Sequence, residues 1–157
     1  MGDNPKVILL VDDEPDILNL LRTILMDEGH NVITATNGVE ALNILSTESR
    51  VDLVITDIRM PQMNGIDLLL EIKKRDPFVP PVMFISGYSD ISVEDAYALG
   101  VVGFIFKPFD IERMLKIISE VFTQFPKYAQ RPTRADEILK IVLKYRSLQQ
   151  SVEAKVI

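Results

Sequence analysis

The stretch Lys6 to Asp13, KVILLVDD, decides how this chain is read. Five consecutive apolar residues, Val7 to Val11, are followed at once by two acids. No polar residue alternates with the apolar ones. A strand of this kind must be covered on both faces, which places it inside a parallel sheet clad with helices. Pro15 stands where a helix would open, with acidic neighbours suited to the positive end of its dipole. Ile17, Leu20, Leu21, Ile24 and Leu25 recur at helical spacing, and Gly29 is placed to close that helix.

The same unit then repeats outward along the chain. Strands are expected at Val32 to Ala35, Val51 to Thr56, Val82 to Ile85 and Val102 to Phe106. Helices are expected at Gly38 to Leu45, Asn64 to Arg75, Ile91 to Leu99 and Asp110 to Phe122. Five strand–helix units imply an α/β fold with helices on both faces. Right-handed crossovers leave few topologies. The expected one is a flavodoxin-like, doubly wound, five-stranded parallel sheet of order 2-1-3-4-5.

Charge divides the chain in two. Of 157 residues with net charge −6, residues 1–123 carry −10 and residues 124–157 carry +4. We expect a body over 1–123, then a linker bracketed by Pro126 and Pro132, then a basic C-terminal helix. That helix should be capped by Thr133 and run from about Arg134 to about Val152. Ile138, Ile141, Tyr145, Leu148 and Val152 form a short heptad seam, suited to packing on the body or pairing helices. Its basic residues read as a solvated face.

Composition excludes several classes. With no cysteine there is no disulfide framework, thiolate zinc site or cysteine nucleophile. The acidic body would repel phosphate, so nucleic acid is not an expected partner of this part. No apolar run reaches the roughly 18 residues of a membrane helix, and no signal core follows Met1. A cytoplasmic protein without membrane partners is the expectation.

In an open parallel sheet, functional groups gather at the carboxyl ends of the strands. Strand one ends in Asp12 and Asp13, strand three in Asp57, strand four in Ser86 and strand five in Lys107. Carboxylates crowded together repel, by roughly 4 kcal/mol for a pair about 4 Å apart at an effective dielectric near 20. A proton or a cation must relieve this. Oxygen donors without His or Cys favour a hard cation, and few carboxylates with room for water suit Mg2+. A metal, an ammonium and a hydroxyl around one carboxylate would suit a phosphoryl group, with Asp57 as nucleophile.

These residues lie in VDDEPD (Val11 to Asp16), TDIRMPQMNG (Thr56 to Gly65), FISG (Phe84 to Gly87) and FIFKPF (Phe104 to Phe109). The set resembles the response-regulator receiver domain of two-component signalling, of the CheY-like kind, over about residues 5–123. The resemblance implies Asp57 as phosphoacceptor, Asp13 as direct Mg2+ ligand and Asp12 as a ligand through water. It implies the Arg59 backbone carbonyl as a further ligand. Ser86 and Lys107 would bind phosphoryl oxygens, and Ser86 and Phe104 would form the switch. The Lys107-Pro108 bond would be cis. Arg59 and Tyr88 match positions that tune phosphate lifetime. Met60, Pro61 and Gly65 would shape the loop after Asp57.

The implied partners are a sensor histidine kinase or phosphotransfer protein, and a downstream protein or output domain. Phosphorylation would draw Ser86 toward the phosphate and Phe104 inward. The face of the fourth helix, fifth strand and fifth helix would then change, and a homodimer through that face or the tail is expected. Beyond phosphoryl acceptance and its own dephosphorylation, no enzyme activity is implied. Three rivals are weaker. An aspartyl-nucleophile phosphatase wants a second Asp where Arg59 stands. A flavin- or nucleotide-binding module wants a phosphate-cradling loop where Asp12-Asp13 stand. A pseudo-receiver would not be expected to keep all five key side chains.

Overall fold

A computed structural model of the chain describes residues 5–48, 50–87, 90–128 and 135–145. The strands are β1 (Val7–Val11), β2 (Asn31–Ala35), β3 (Leu53–Thr56), β4 (Val82–Ser86) and β5 (Gly103–Phe106). The helices are α1 (Pro15–Asp27), α2 (Gly38–Thr47), α3 (Gly65–Arg75), α4 (Val93–Leu99), α5 (Ile111–Tyr128) and α6 (Ala135–Lys144). All strand pairs are parallel, in the order β2-β1-β3-β4-β5.

The unbroken apolar strands follow from covering on both faces. Side chains alternate across a strand with a period of two. Leu9, Val11, Val54, Val82, Phe84 and Phe104 enter one core with Ala41, Leu69, Ile72, Ala96 and Leu99 from α2, α3 and α4. Ile8, Leu10, Leu53, Ile55, Met83, Ile85 and Ile105 enter the other with Leu18, Leu21 and Leu25 of α1 and Met114, Ile118 and Val121 of α5. A polar residue at any of these strand positions would face a helix rather than water.

Local chemistry sets the helix ends. Pro15 opens α1, and Gly29 follows it at φ 93°, a backbone state that costs a residue with a Cβ. Asn37, Asn64 and Ser92 each accept the backbone N–H three residues on, which caps α2, α3 and α4.

Most boundaries lie within two residues of expectation, and the end of α5 differs most. The helix expected to stop at Phe122 continues to Tyr128 and includes Pro126, inside the expected linker. Proline removes one N–H and disfavours the helical state of the residue before it. Near the last turn the lost bond is a single one, and the helix persists. The expected cap Thr133, and the seam residues Leu148 and Val152, lie outside the described residues.

α6 folds back onto the body. Ile141 is buried in the core beneath α4, with Ile138, Val142 and Tyr145 packed beside it. The Tyr145 hydroxyl donates to Asp95 Oδ2 at 2.6 Å and accepts from the Ser92 N–H at 3.1 Å. Lys144 Nζ meets the same Asp95 oxygen at 2.8 Å, so this basic residue contacts the body rather than water alone.

Candidate functional site

Strand register builds the site. Val11 of β1 pairs with Thr56 of β3, and Ser86 of β4 with Phe106 of β5. The next residues along β1, β3 and β5 are Asp12, Asp57 and Lys107, so one rim collects them. Backbone bonds carry the alignment one residue past the strands. Asp57 N–H donates to Val11 O at 2.9 Å, Asp12 N–H to Ala35 O at 3.1 Å and Lys107 N–H to Ser86 O at 2.9 Å. The Lys107-Pro108 bond is cis, as is Val79-Pro80.

Among the described residues, Asp12, Asp13 and Asp57 each offer an oxygen within 4.8 Å of the others. Asp12 and Asp57 are buried, and Asp13 is exposed toward solvent. Lys107 Nζ lies 3.0 Å from Asp12 Oδ2 and 3.3 Å from Asp57 Oδ2, with Glu14 Oε1 at 3.7 Å. Ser86 Oγ lies 3.2 Å from Asp57 Oδ1, which also accepts the Ile58 N–H at 2.8 Å. All five expected side chains therefore meet.

Burial, then the Asp12 charge, pushes the Asp57 carboxyl up to about 6. Burial and the Asp12 charge also raise Asp13. Burial works against the Lys107 ammonium, but Asp57 and Asp12 outweigh it and raise its pKa. With every group ionised, three carboxylates and one ammonium leave two negative charges, which one divalent cation would cancel. Ligands on an octahedral Mg2+ at about 2.1 Å lie about 3 to 4 Å apart. The acidic oxygens need only a small contraction to meet that, and they are the hard donors this ion prefers. The residues fit Mg2+.

Asp12 has a second duty. Its Oδ1 accepts the Glu14 N–H at 2.9 Å, which shapes the turn into α1. Asp12 thus serves both the start of α1 and the site, which its Oδ2 faces. Gly65 lets α3 begin against the Asp57 loop. A Cβ there would stand 2.3 Å from the Asp57 carbonyl oxygen and 2.9 Å from Ile58 Cα.

Phe104 is already buried, edge-on to Phe84 with centroids 6.3 Å apart and 4.8 Å from Phe106. An inward rotation would therefore start from an already buried position, not from solvent. Tyr88 lies outside the described residues. The Arg59 side chain does not sit free beside the site; its Nε pairs with Asp90. Asp90 escaped the sequence reading. It is buried, and the Ser86 hydroxyl donates to it. The available signal was an acid four residues after the Ser86 hydroxyl.

A doubly wound sheet with an acid triad, a lysine and a hydroxyl at one rim defines a class of phosphoryl-accepting switch. The sequence pattern of the response regulator receiver domain matches residues 8–119, and the chain belongs to that family. The transcriptional regulatory protein GlrR of Escherichia coli is 35% identical over 151 residues, 96% of this chain and 34% of that protein. The response regulator SaeR of Staphylococcus aureus is 32% identical over 125 residues, 80% of this chain and 54% of that one. The chain thus spans from a third to about half of these relatives.

Solved structures agree. A CheY-like receiver domain protein of Methanospirillum hungatei superposes with TM-score 0.70 and 31% identity over 78% of this chain and 98% of that one. The response regulator TrrA of Thermotoga maritima, solved in complex with Mg2+ and BeF, gives TM-score 0.67 and 33% identity over 74% and 98%. Residues 8–119 thus form a receiver domain, a phosphoryl-accepting signalling switch of two-component systems. The phosphatase and flavin-type readings find no support. No described helix is long and apolar enough to cross a membrane.

Proposed function

We propose that Asp57 takes a phosphoryl group from the phosphohistidine of a sensor histidine kinase or phosphotransfer protein. The observation that carries this is the meeting of Asp12, Asp13, Asp57, Ser86 and Lys107 at one rim. An Asp57 oxygen attacks phosphorus in line. The new O–P bond forms as the N–P bond of the donor breaks, and the leaving imidazole keeps the electron pair. Asp13 would hold Mg2+ directly, Asp12 through water, with Asp57 and the Arg59 carbonyl completing the protein ligands. The ion would neutralise charge developing on the phosphoryl oxygens.

Lys107 follows the charge as it moves. Its ammonium already spans Asp12 and Asp57, and a phosphoryl oxygen would replace one carboxylate contact. Ser86 would donate to a second oxygen. Hydrolysis of the aspartyl phosphate resets the switch, with Arg59 and Tyr88 tuning its rate. The phosphoryl group adds roughly one negative charge and three acceptor oxygens. Ser86 and Phe104 would transmit this to the face of α4, β5 and α5, by a shift of population between two states.

Residues 1–128 would form the switch, since α5 runs past the expected boundary. Residues 129–157 would supply the segment that covers α4 through α6. The output is a downstream protein or an attached output domain, with a homodimer through the α4, β5 and α5 face, the tail helix, or both as a further state. We place the switch in the cytoplasm. Treatment with acetyl phosphate and Mg2+ tests the reading by intact-protein mass. A gain of one phosphoryl group is expected, and it should vanish with chelator or in Asp57→Asn. A folded protein that gains nothing contradicts it.

A further inference from the structure

Asp90 is buried, yet phosphoryl acceptance as described has no use for it. Its Oδ2 accepts the Ser86 hydroxyl and, at 3.0 Å, the Gly87 N–H. Its Oδ1 accepts Arg59 Nε. The same Ser86 oxygen lies 3.2 Å from Asp57 Oδ1. A hydroxyl has one proton to donate. Here two carboxylates compete for it, and Asp90 is the one held in place on both oxygens, by the Gly87 N–H and by Arg59.

We propose that Asp90, anchored by Arg59, is a positioning residue that holds the Ser86 proton away from Asp57 until a phosphoryl group captures it. The proposal rests on Asp57 being the phosphoacceptor. Arg59 and the Gly87 N–H fix both carboxylate oxygens of Asp90, so this acceptor cannot turn aside. A hydrogen bond to a charged acceptor is about twice as strong as a neutral one. A phosphoryl oxygen must therefore break a charge-assisted bond before Ser86 serves it. The resting state is held by that bond, and the ease of switching is set by it. The Asp90 carboxylate also begins the segment that leads through Ile91 to Ser92, the cap of α4.

Asp90→Asn replaces the charged acceptor by a neutral one of the same shape. If its carbonyl faces Ser86, its amide faces the Arg59 donor and the anchor is lost. If the amide faces Ser86, the hydroxyl proton is free. The first orientation weakens the hold on the proton and the second releases it.

The test titrates the full chain with beryllofluoride at saturating Mg2+, followed by fluorine NMR, and separately with Mg2+ alone by calorimetry. Wild type, Asp90→Asn, Ser86→Ala and the double variant form a cycle. Asp90→Asn should bind beryllofluoride about 3- to 10-fold more tightly, with Mg2+ affinity within about twofold. The gain should vanish in the Ser86→Ala background. A merely structural role for Asp90 would weaken both ligands and ignore Ser86. A gain that persists without the Ser86 hydroxyl, or a loss, overturns the proposal. Should Asp90→Asn not fold, Arg59→Ala opens Asp90 to water as a rival donor. It should give a smaller gain of about 2- to 3-fold, again dependent on Ser86, and no gain overturns the proposal. Wild type failing to take beryllofluoride would count against the phosphoacceptor reading instead.

Discussion

Lys107 holds its ammonium 3.3 Å from the Asp57 carboxylate although the two residues are fifty positions apart in sequence. The same nitrogen is 3.0 Å from Asp12, so one cation is shared by two buried acids. Lys107→Ala would leave the acids without an internal counter-charge and remove a donor from the phosphoryl oxygens. The initial rate of acceptance from acetyl phosphate should fall by roughly 10- to 100-fold. Lys107→Arg should not restore it, because a planar fork does not replace a point charge here. An unchanged rate in Lys107→Ala would contradict this role.

Asp57 sets a pH dependence of stability. Burial and the Asp12 charge raise its carboxyl to about 6, from an ordinary value of 3.8. Between these values the folded chain holds a proton that the unfolded chain has released. Stability is therefore lost as pH rises through that window, and the full penalty, on the order of 2 to 3 kcal/mol, is present above it. Asp57→Asn removes the penalty but also a partner of Lys107. In chelator at pH 7.5 it should be more stable than wild type by about 1 to 2 kcal/mol, with the difference shrinking at pH 4.5. Urea unfolding at the two pH values measures this, and a variant less stable at both would refute it.

Gly65 should be intolerant of a methyl group. The atoms a Cβ would meet, the Asp57 carbonyl oxygen at 2.3 Å and Ile58 Cα at 2.9 Å, are backbone and cannot step aside. Gly38 offers a contrast, since its Cβ would meet only the flexible Met63 side chain, at 2.8 Å. Gly65→Ala should cost more than about 2 kcal/mol and depress phosphoryl acceptance, while Gly38→Ala should cost less. Equal costs in thermal unfolding would contradict the comparison.

The legible part of this chain was what burial imposes. Unbroken apolar runs such as Val7 to Val11 stated two-sided covering, and the acids and lysine at their ends stated the rim. Asn37 stood ahead of α2 as expected, whereas Asn64 and Ser92, expected inside their helices, are the caps of α3 and α4. What escaped depended on long-range partners. Pro126 reads as a stop, but α5 continues past it. The burial of Phe104 was legible in its apolar strand, but its packing against Phe84 and Phe106 was not. Asp90 looks like any acid before a helix until Arg59 and Ser86 close on it.

The α6 clasp should loosen through one hydroxyl. Tyr145 Oη joins Ser92 and Asp95, and the hydrogen bond from Lys144, then that from Tyr145, holds the Asp95 carboxyl below its ordinary range. A depressed acid contributes stability above its unfolded pKa and loses it as pH falls through the lower folded value. Tyr145→Phe should cost about 1 kcal/mol in α6 docking and speed amide exchange in α6 and at Ser92, leaving beryllofluoride binding intact. Unchanged exchange would show that Ile141 alone seats the helix. Deleting residues 129–157 should favour self-association in sedimentation, by exposing α4; equal mass in both forms, loaded or not, would refute that.

The central claim is that Asp57 itself receives the phosphoryl group. Borohydride reduces an aspartyl phosphate to homoserine, so the acceptor can be read directly by fragment mass. Protein treated with acetyl phosphate and Mg2+ should yield homoserine at position 57, and none when Mg2+ is chelated. Homoserine at another position, or an intact Asp57 in folded protein with Mg2+ present, would contradict the account.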